Sequence, residues 1–413
     1  MSAPDRRGAT AVALMTCMLL FACGGSGSGD GAPPVGQAPG GPGQAPVSPA
    51  PGSAAPPAAP SAPATAPAAV TPVAVKTEDV AVGLAGPWSL AFLPDGSMLV
   101  TEKRGTLRRV TAAGQISAPL AGVPPVFDVG QGGLLDVVLS PGFASDRTIF
   151  FTYSEPAGND TSRTAVARAE LGDTALSNLA VIYRQTPARP GSMHYGSRLV
   201  FDRGGNLYVT MGERGEQDRA QDLGTTQGKV VRIRPDGAIP ADNPVFPQPG
   251  AVPGIWSYGH RNPQGAALNP VTGELWISEH GPQGGDEINR IVKGANYGWP
   301  RITYGVEYGS GAQLGEGTTA PDVEPPLHFW VPISVAPAGM VFYTGDKLPG
   351  WQGSLLVGTL AGQMLARLTL EGDTVVAENR YLSGERIRDI RQGPDGYPYL
   401  LTDSGRLMRV VPD

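Results

Sequence analysis

The sequence contains only two cysteines, Cys17 and Cys23, and both lie near its start. The rest of the chain therefore has no disulfide and no thiol nucleophile, and no C-x-x-C-H motif is present for covalent haem attachment. The formal net charge is −6, which argues against nucleic acid as a partner. After the first apolar run, no hydrophobic stretch approaches the length of a membrane span.

The first residues predict an export signal. Two arginines precede an apolar stretch, residues 11–22, which is short for a bilayer span and suits the core of a signal peptide. The stretch ending at Cys23 resembles a bacterial lipoprotein signal, with a lipid on the sulfur; Phe21 is unusual there, so ordinary signal cleavage is the alternative. We expect an exported protein that is periplasmic or anchored to the outer membrane as a lipoprotein.

Residues 24–72 differ in composition from the rest of the chain. They are Gly, Ala, Pro and Ser with almost no charge, and such a segment buries too little apolar surface to offset its ordering entropy. The sequence therefore predicts a signal at 1–23, a disordered linker at 24–72 and one folded domain at 73–413.

An internal repeat dominates this domain. Each copy has an alternating apolar strand, a turn with Pro, Asp or Gly, and a second apolar strand, which is the pattern of a β-hairpin. The six copies are residues 90–101, 136–152, 199–210, 266–278, 340–358 and 390–402.

Six widely spaced hairpins with almost no helical periodicity predict an all-β fold. We expect a six-bladed β-propeller of four-stranded antiparallel blades, because a closed ring leaves few exposed strand edges. Val75–Val82 is a candidate strand for closing the ring with the last blade. A multi-hairpin sandwich or two β domains is the alternative.

His194 and Glu213 flank the third hairpin, so the hairpin brings them towards each other. A carboxylate beside an imidazole orients the ring and stabilises its protonated form, as a general base requires. A purely structural His–Glu hydrogen bond has the same spacing, and the residues alone do not decide between the two.

Three other loop motifs carry possible binding groups. Arg261, in the run 259–265 (GHRNPQG), offers a bidentate fork for an anion. The Gly- and Pro-rich run 279–289 can turn carbonyl oxygens towards a hard cation such as calcium. Arg386 and Arg388 share one strand face by the period of two, and paired guanidinium groups repel each other unless an anion or acid lies between them. A solvated strand edge is the alternative.

Taken together, these motifs resemble the soluble aldose sugar dehydrogenases that depend on pyrroloquinoline quinone (PQQ). The resemblance extends over residues 80–410. Its signatures are 130–135 (GQGGLL), the run at His194, 259–265, 279–282 (EHGP), 286–289 with 296–300, and 386–388.

The resemblance implies a catalytic pair. His194 would take the proton of the sugar's anomeric hydroxyl while C1 passes a hydride to the quinone. Glu213 occupies the position of that base's acidic partner, which is often Asp in the family. The implied substrate is an aldose, and a separate molecule must accept the electrons.

The resemblance also implies PQQ and Ca²⁺ as cofactors. The PQQ ligands it implies are Gln131, Arg261, Asn262, Arg386 and Arg388, with Tyr308, Gly358, Thr359 and Leu360 placed by loop position only. The calcium ligands it implies are the backbone oxygens of Gly281 and Pro282 at the quinone. The backbone oxygens of Glu287 and Tyr297 match positions that hold a second, structural ion in some members. Ala361 departs from glucose-oxidising members, which have a cofactor-binding Lys in that loop.

Two other functions fit a propeller with these loops. A calcium-dependent sugar-lactone hydrolase would need acidic side chains directly on the metal, whereas the candidate loop offers mainly backbone oxygens. A non-catalytic extracellular binding module would be expected to lack the base or the arginines, and both are present.

Overall fold

The computed structural model describes residues 71–413. The predicted signal, the possible lipid site at Cys23 and nearly all of the predicted linker lie outside the described residues. Within residues 71–413 there is no helix long and apolar enough to cross a membrane.

The first strand of the chain is β1 (Val75–Val82), which belongs to the sixth blade. Blade 1 contains β2 (Pro87–Phe92), β3 (Met98–Glu102) and β4 (Thr106–Val110). Blade 2 contains β5 (Leu134–Leu139), β6 (Thr148–Pro156), β7 (Thr161–Leu171), β8 (Leu176–Arg184) and the short β9 (Arg189–Pro190). Blade 3 contains β10 (Leu199–Phe201), β11 (Leu207–Met211), β12 (Lys229–Ile233) and β13 (Ile255–Tyr258).

The remaining blades follow in chain order. Blade 4 contains β14 (Pro263–Leu268), β15 (Leu275–Glu279), β16 (Asp286–Arg290) and β17 (His328–Trp330). Blade 5 contains β18 (Pro337–Phe342), β19 (Leu355–Thr359), β20 (Leu365–Glu371) and β21 (Thr374–Tyr381). Blade 6 contains β22 (Ile387–Gln392), β23 (Pro398–Thr402), β24 (Arg406–Pro412) and β1. The helices of the described part are α1 (Phe143–Asp146) and a 3₁₀ turn at Gln217–Ala220.

These six sheets form a closed ring. The innermost strands, which are β2, β5, β10, β14, β18 and β22, each contact the next one around the ring, and β22 contacts β2. The predicted six-bladed propeller is therefore confirmed, and each predicted hairpin forms the first two strands of a blade.

Blades 1 and 2 depart from the expected four strands. Blade 1 has three, because the segment after β4 follows its edge without regular pairing: Ser117 N–H donates to Arg109 O, and Leu120 N–H donates to Leu107 O. Blade 2 gains β9 as a fifth strand beside β7.

The hydrophobic core lies between the blades rather than at one centre. Six clusters of buried side chains occupy the six interfaces between neighbouring blades. The second strands β3, β11, β15, β19 and β23 are buried along their whole length. They are rich in Leu, Val, Ile and Tyr because both of their faces pack against neighbouring blades.

The ring is closed by pairing the two ends of the domain. β1 runs antiparallel to β24, with Val75 opposite Pro412 and Val82 opposite Arg406. The prediction that Val75–Val82 closes the last blade is confirmed.

Deleting residues 71–82 should therefore open the ring. The deletion would expose the edge of β24 and remove Ala81 from the core between blades 6 and 1. We expect a lower thermal unfolding midpoint and aggregation, measured by circular dichroism and light scattering. The control lacks the residues up to 70 but keeps β1. Equal unfolding midpoints for this control and for the variant without β1 would contradict this role of β1.

Candidate active site

The functional groups predicted from sequence collect at one end of the ring. In four blades the last residue of the second strand lies opposite the first residue of the first strand: Glu102 with Pro87, Glu279 with Pro263, Thr359 with Pro337, and Thr402 with Ile387. These second strands therefore all end at the same end of the propeller. We call this end the mouth.

His194 and Glu213 are in direct contact at the mouth. His194 Nδ1 lies 2.8 Å from Glu213 Oε2, and the two residues are only 8% and 2% exposed. The Glu213 carboxylate also accepts the Gly215 N–H. Because Nδ1 is engaged by the carboxylate, Nε2 is the ring nitrogen left to face a substrate.

The loop that carries His194 is held by a buried arginine. Arg214 Nε donates to Met193 O at 2.9 Å, Arg214 Nη2 donates to Gly191 O at 2.8 Å, and the guanidinium lies 3.7 Å from the centre of the Tyr195 ring. His194 itself has φ of 54°, in the left-handed region. Such a conformation persists only where surrounding contacts enforce it, and the arginine supplies several of them.

Gln131 and Asn262 connect His194 to the fourth blade. Gln131 Oε1 accepts the His194 N–H at 2.8 Å and lies 3.4 Å from Asn262 Nδ2. The carbonyl of Asn262 accepts the His280 N–H at 3.2 Å. Asn262 is fully buried, so it supports the floor of the site from beneath.

Arg261 and His280 lie beside each other on this floor. Arg261 Nη1 donates to His280 O at 3.2 Å, while Arg261 Nε is buried without a hydrogen-bond partner. Burial lowers the pKa of the His280 ring to about 3. The charges of Arg261, Arg388 and His194 lower the pKa of His280 further. His280 is therefore neutral at neutral pH.

Arg386 and Arg388 meet at one carboxylate, that of Asp403. Arg386 Nε donates to Asp403 Oδ2 at 2.9 Å, and Arg388 Nε donates to Asp403 Oδ1 at 3.1 Å. Burial opposes ionisation of Asp403, but the two arginines hold the pKa of its carboxyl below the usual range. The arginines are thus brought together as predicted, although the strand begins at Ile387 and Arg388 lies on a β-bulge.

The loop after β15 presents free backbone oxygens. Among residues 71–413, no hydrogen bond ends on the carbonyl oxygen of Gly281 or Pro282. Asp286 fixes the loop from behind, because its Oδ1 accepts the Gly281 N–H at 2.9 Å. Its Oδ2 accepts the N–H groups of Val335 and Ala336, both at 2.7 Å. Oxygen atoms left without hydrogen bonds suit a hard cation.

A second group of oxygens lies beneath Arg261. Asn289 Nδ2 donates to Glu279 Oε1 at 2.9 Å and to Glu287 Oε2 at 3.0 Å, while Asn289 Oδ1 is buried without a partner. Burial and the charge of Glu279 raise the pKa of Glu287 to about 8. Tyr297 and both glutamates line a cavity of about 10 Å³, which has room for one ion or water. The donor set fits a cation.

The remaining predicted ligands lie around the site less directly. Gly358 and Thr359 belong to β19, and the Thr359 hydroxyl is used within its own loop by Met364. Leu360 offers its carbonyl, which accepts from Arg386 Nη1 at 3.0 Å. Tyr308 is 66% exposed. It precedes Gly309, whose N–H donates to Gln283 in the loop after β15. Ala361, next to Leu360, is exposed.

A buried charge network fills the channel below this floor. Arg198 Nη1 lies 2.9 Å from Asp389 Oδ1 and 3.3 Å from Asp136 Oδ1. Arg391 completes the network with contacts to Asp136 at 3.0 Å and to Asp389 at 3.1 Å. Arg198 also donates to the carbonyl of Arg388 at 3.1 Å, which ties the network to the site above.

Sequence reasoning missed three parts of this arrangement: Asp403, Gln264 and the network around Arg198. Asp403 comes directly after β23 and Glu213 comes two residues after β11, so an acid close behind a second strand was an available signal. Gln264 lies on a bulge and contacts Arg388 at 3.4 Å. A single sequence contains no signal for such a bulge contact between two blades.

The comparisons with known proteins place this propeller among oxidoreductases that act on sugars. The chain matches the glucose/sorbosone dehydrogenase family over residues 84–409 and belongs to that family.

Individual relatives agree with this assignment. The chain is 46% identical to the aldose sugar dehydrogenase YliI of Escherichia coli (strain K12) over 350 residues, which are 83% of this chain and 94% of the relative. Its fold is similar to the crystal structure of the soluble aldose sugar dehydrogenase from Escherichia coli in the apo-form (TM-score 0.79, 45% identity, 82% of this chain and 100% of the other). It is also similar to the PQQ-bound form of an aldose sugar dehydrogenase from Streptomyces coelicolor (TM-score 0.67, 30% identity, 82% of this chain and 98% of the other).

Proposed function

We propose that this protein oxidises aldose sugars at C1 to the lactone, with PQQ and Ca²⁺ as cofactors. The observation that carries the proposal is the contact between His194 and Glu213 at a mouth that also holds Arg261 and Arg388. The PQQ-bound relative from Streptomyces coelicolor, 30% identical, supports the choice of quinone.

His194 is the general base in this proposal. Its Nε2 removes the proton of the anomeric hydroxyl, and Glu213, 2.8 Å from Nδ1, stabilises the imidazolium that results. When bound, the quinone accepts the hydride from C1, so the sugar loses one proton and one hydride in total. Arg214 keeps the ring in place by holding the backbone before it.

The cofactor would be held by groups from several blades. Arg261, whose Nε has no partner within the described chain, and the pair Arg386 and Arg388 are suited to carboxylates. Gln131 and Asn262 support the floor, and Leu360, Thr359, Gly358 and Tyr308 border it. The cavity beneath Arg261 is only about 10 Å³, which is too small to hold a tricyclic ligand.

The free carbonyl oxygens of Gly281 and Pro282 are the proposed ligands of a calcium ion at the quinone, where the ion would act as a Lewis acid. The oxygens around Glu287 and Tyr297 are the proposed site of a second ion with a structural role. The closeness of the Glu279 and Glu287 carboxylates, which both accept from Asn289 Nδ2, supports this, because a bound cation would offset their mutual repulsion.

Two further parts of the proposal rest on the sequence. The electrons would pass to a separate acceptor, because the chain has no haem motif. The predicted N-terminal signal supports export to the periplasm. A lipid on Cys23 would anchor the protein to the outer membrane. The hydrolase alternative is less favoured, because residues 71–413 contain no group of three or more His, Cys, Asp or Glu side chains arranged to hold a metal.

The test is reconstitution of the purified full-length protein. PQQ and Ca²⁺ are added to apo-protein, and reduction of an artificial dye is followed with a panel of aldoses. We expect sugar-dependent dye reduction that requires both additions and is lost when EGTA removes calcium before PQQ is added. Failure of PQQ to bind, or dye reduction that is the same without it, would overturn the proposed cofactor.

A further inference from the structure

The common register of the blades places one more charged side chain, that of Lys103, at the mouth. The residue directly after the second strand is His280 in blade 4, Leu360 in blade 5 and Asp403 in blade 6. Each of these residues contacts an arginine of the site. In blade 1, β3 ends at Glu102, so the residue in the same position is Lys103.

Lys103 is fixed over the loop that carries Gln131. Its Nζ donates to the carbonyl of Gly130, and its own carbonyl accepts the Leu134 N–H at 2.9 Å. A Cβ at Gly133 would lie 2.0 Å from Lys103 O and 2.6 Å from Lys103 Cγ, so only glycine allows this close packing. Gln131, one residue from Gly130, in turn holds the backbone of His194.

The charge of Lys103 is not balanced by a neighbouring acid. Within residues 71–413 no carboxylate lies within ion-pair distance of its ammonium group, whereas Lys76 and Lys347 pair with Asp413 and Asp346. Its side chain is half-buried, so the ammonium group remains accessible to a ligand at the mouth.

Two of the other cations of the mouth are partly neutralised. Arg386 and Arg388 share the carboxylate of Asp403, so the pair carries one net positive charge. A ligand with several carboxylates is held best by cations on more than one side, and Lys103 is the cation that blade 1 contributes.

We propose that Lys103 binds the cofactor by pairing its ammonium group with a carboxylate of the quinone at the blade 1 side of the mouth. This inference rests on the proposed function. It adds a ligand from blade 1, and it gives the loop at residues 130–133 a second task besides holding His194.

Binding of PQQ to the apo-protein in the presence of Ca²⁺, measured by isothermal titration calorimetry, tests the role of Lys103. Lys103→Met removes both the charge and the donor, Lys103→Gln keeps a donor for the Gly130 carbonyl without the charge, and Lys103→Arg keeps both. Lys347→Met is the matched control, because Lys347 lies in the hairpin turn at the opposite end of blade 5. Thermal unfolding of each apo-variant checks that it is folded.

We expect both uncharged variants to bind PQQ about fivefold more weakly than wild type at low salt, with a smaller difference at high salt. Lys103→Arg and Lys347→Met should bind like wild type. Equal PQQ affinity of wild type and Lys103→Gln at both salt concentrations would overturn the inference. Lys103 would then only hold the loop through its hydrogen bond to Gly130. If wild type itself binds no PQQ, the proposed function fails and the inference fails with it.

Discussion

Replacing His194 should abolish turnover while leaving cofactor binding intact. His194→Ala removes the ring whose Nδ1 contacts Glu213, and loss of a general base costs about 10²–10⁴-fold in kcat. PQQ affinity should change little, because the arginines of the mouth and the free carbonyl oxygens of the loop after β15 remain. Steady-state dye reduction and calorimetric PQQ titration measure the two properties separately.

The backbone conformation of His194 calls for a second variant. Its φ of 54° is uncomfortable for alanine, whereas asparagine tolerates the left-handed region and also lacks a base. His194→Asn should therefore be as inactive as His194→Ala but better folded. His328→Ala is the control, since His328 lies on the outer strand of blade 4 and contacts Glu378. Normal turnover by His194→Asn would show that another group is the base.

Neutralising one acid of the channel network should strongly destabilise the fold. Asp136→Asn removes one of two negative charges that face Arg198 and Arg391, and all of these side chains are buried or nearly so. Removing one partner of a buried ion pair typically costs about 3–5 kcal/mol, because the remaining charge is left without compensation. We expect a clear fall in the thermal unfolding midpoint.

The position of Asp136 explains why this effect should be large. Its carboxylate accepts hydrogen bonds from Ser89 of blade 1 at 2.6 Å and from the Leu199 N–H of blade 3 at 2.8 Å, so one residue joins three blades. Asp346→Asn, at an 82% exposed side chain, should change stability by less than about 0.5 kcal/mol. If both variants unfolded at the same temperature, the network would make no contribution to the stability of the fold.

Local periodicity was enough to predict the hairpins and the ring. The second strands have continuous apolar runs because they are buried on both faces, and a Gly- or Pro-containing turn precedes each one. The three-stranded blade 1 was not predicted. Ser117 and Leu120 follow its edge through only a few hydrogen bonds, and Pro119 between them has no N–H to donate to a regular ladder.

The site was predictable where one hairpin brings its own ends together, as with His194 and Glu213. Contacts between residues of different blades were harder to predict from the sequence. Arg388 reaches Gln264 because both lie on β-bulges, and a bulge shifts the register without a clear mark in the sequence. The roles of the predicted ligands remain predictions, and the binding and turnover experiments above address them.

The closure of blade 6 has a consequence for the newly made chain. This blade combines the first strand of the domain with the last three, and it carries Arg386, Arg388 and Asp403. While the ribosome is still synthesising residues before 412, Val75 has no partner strand, and the anion-binding side of the mouth is not yet assembled. Any ligand that needs both sides of the mouth can therefore bind only after residue 412 has been added to the chain.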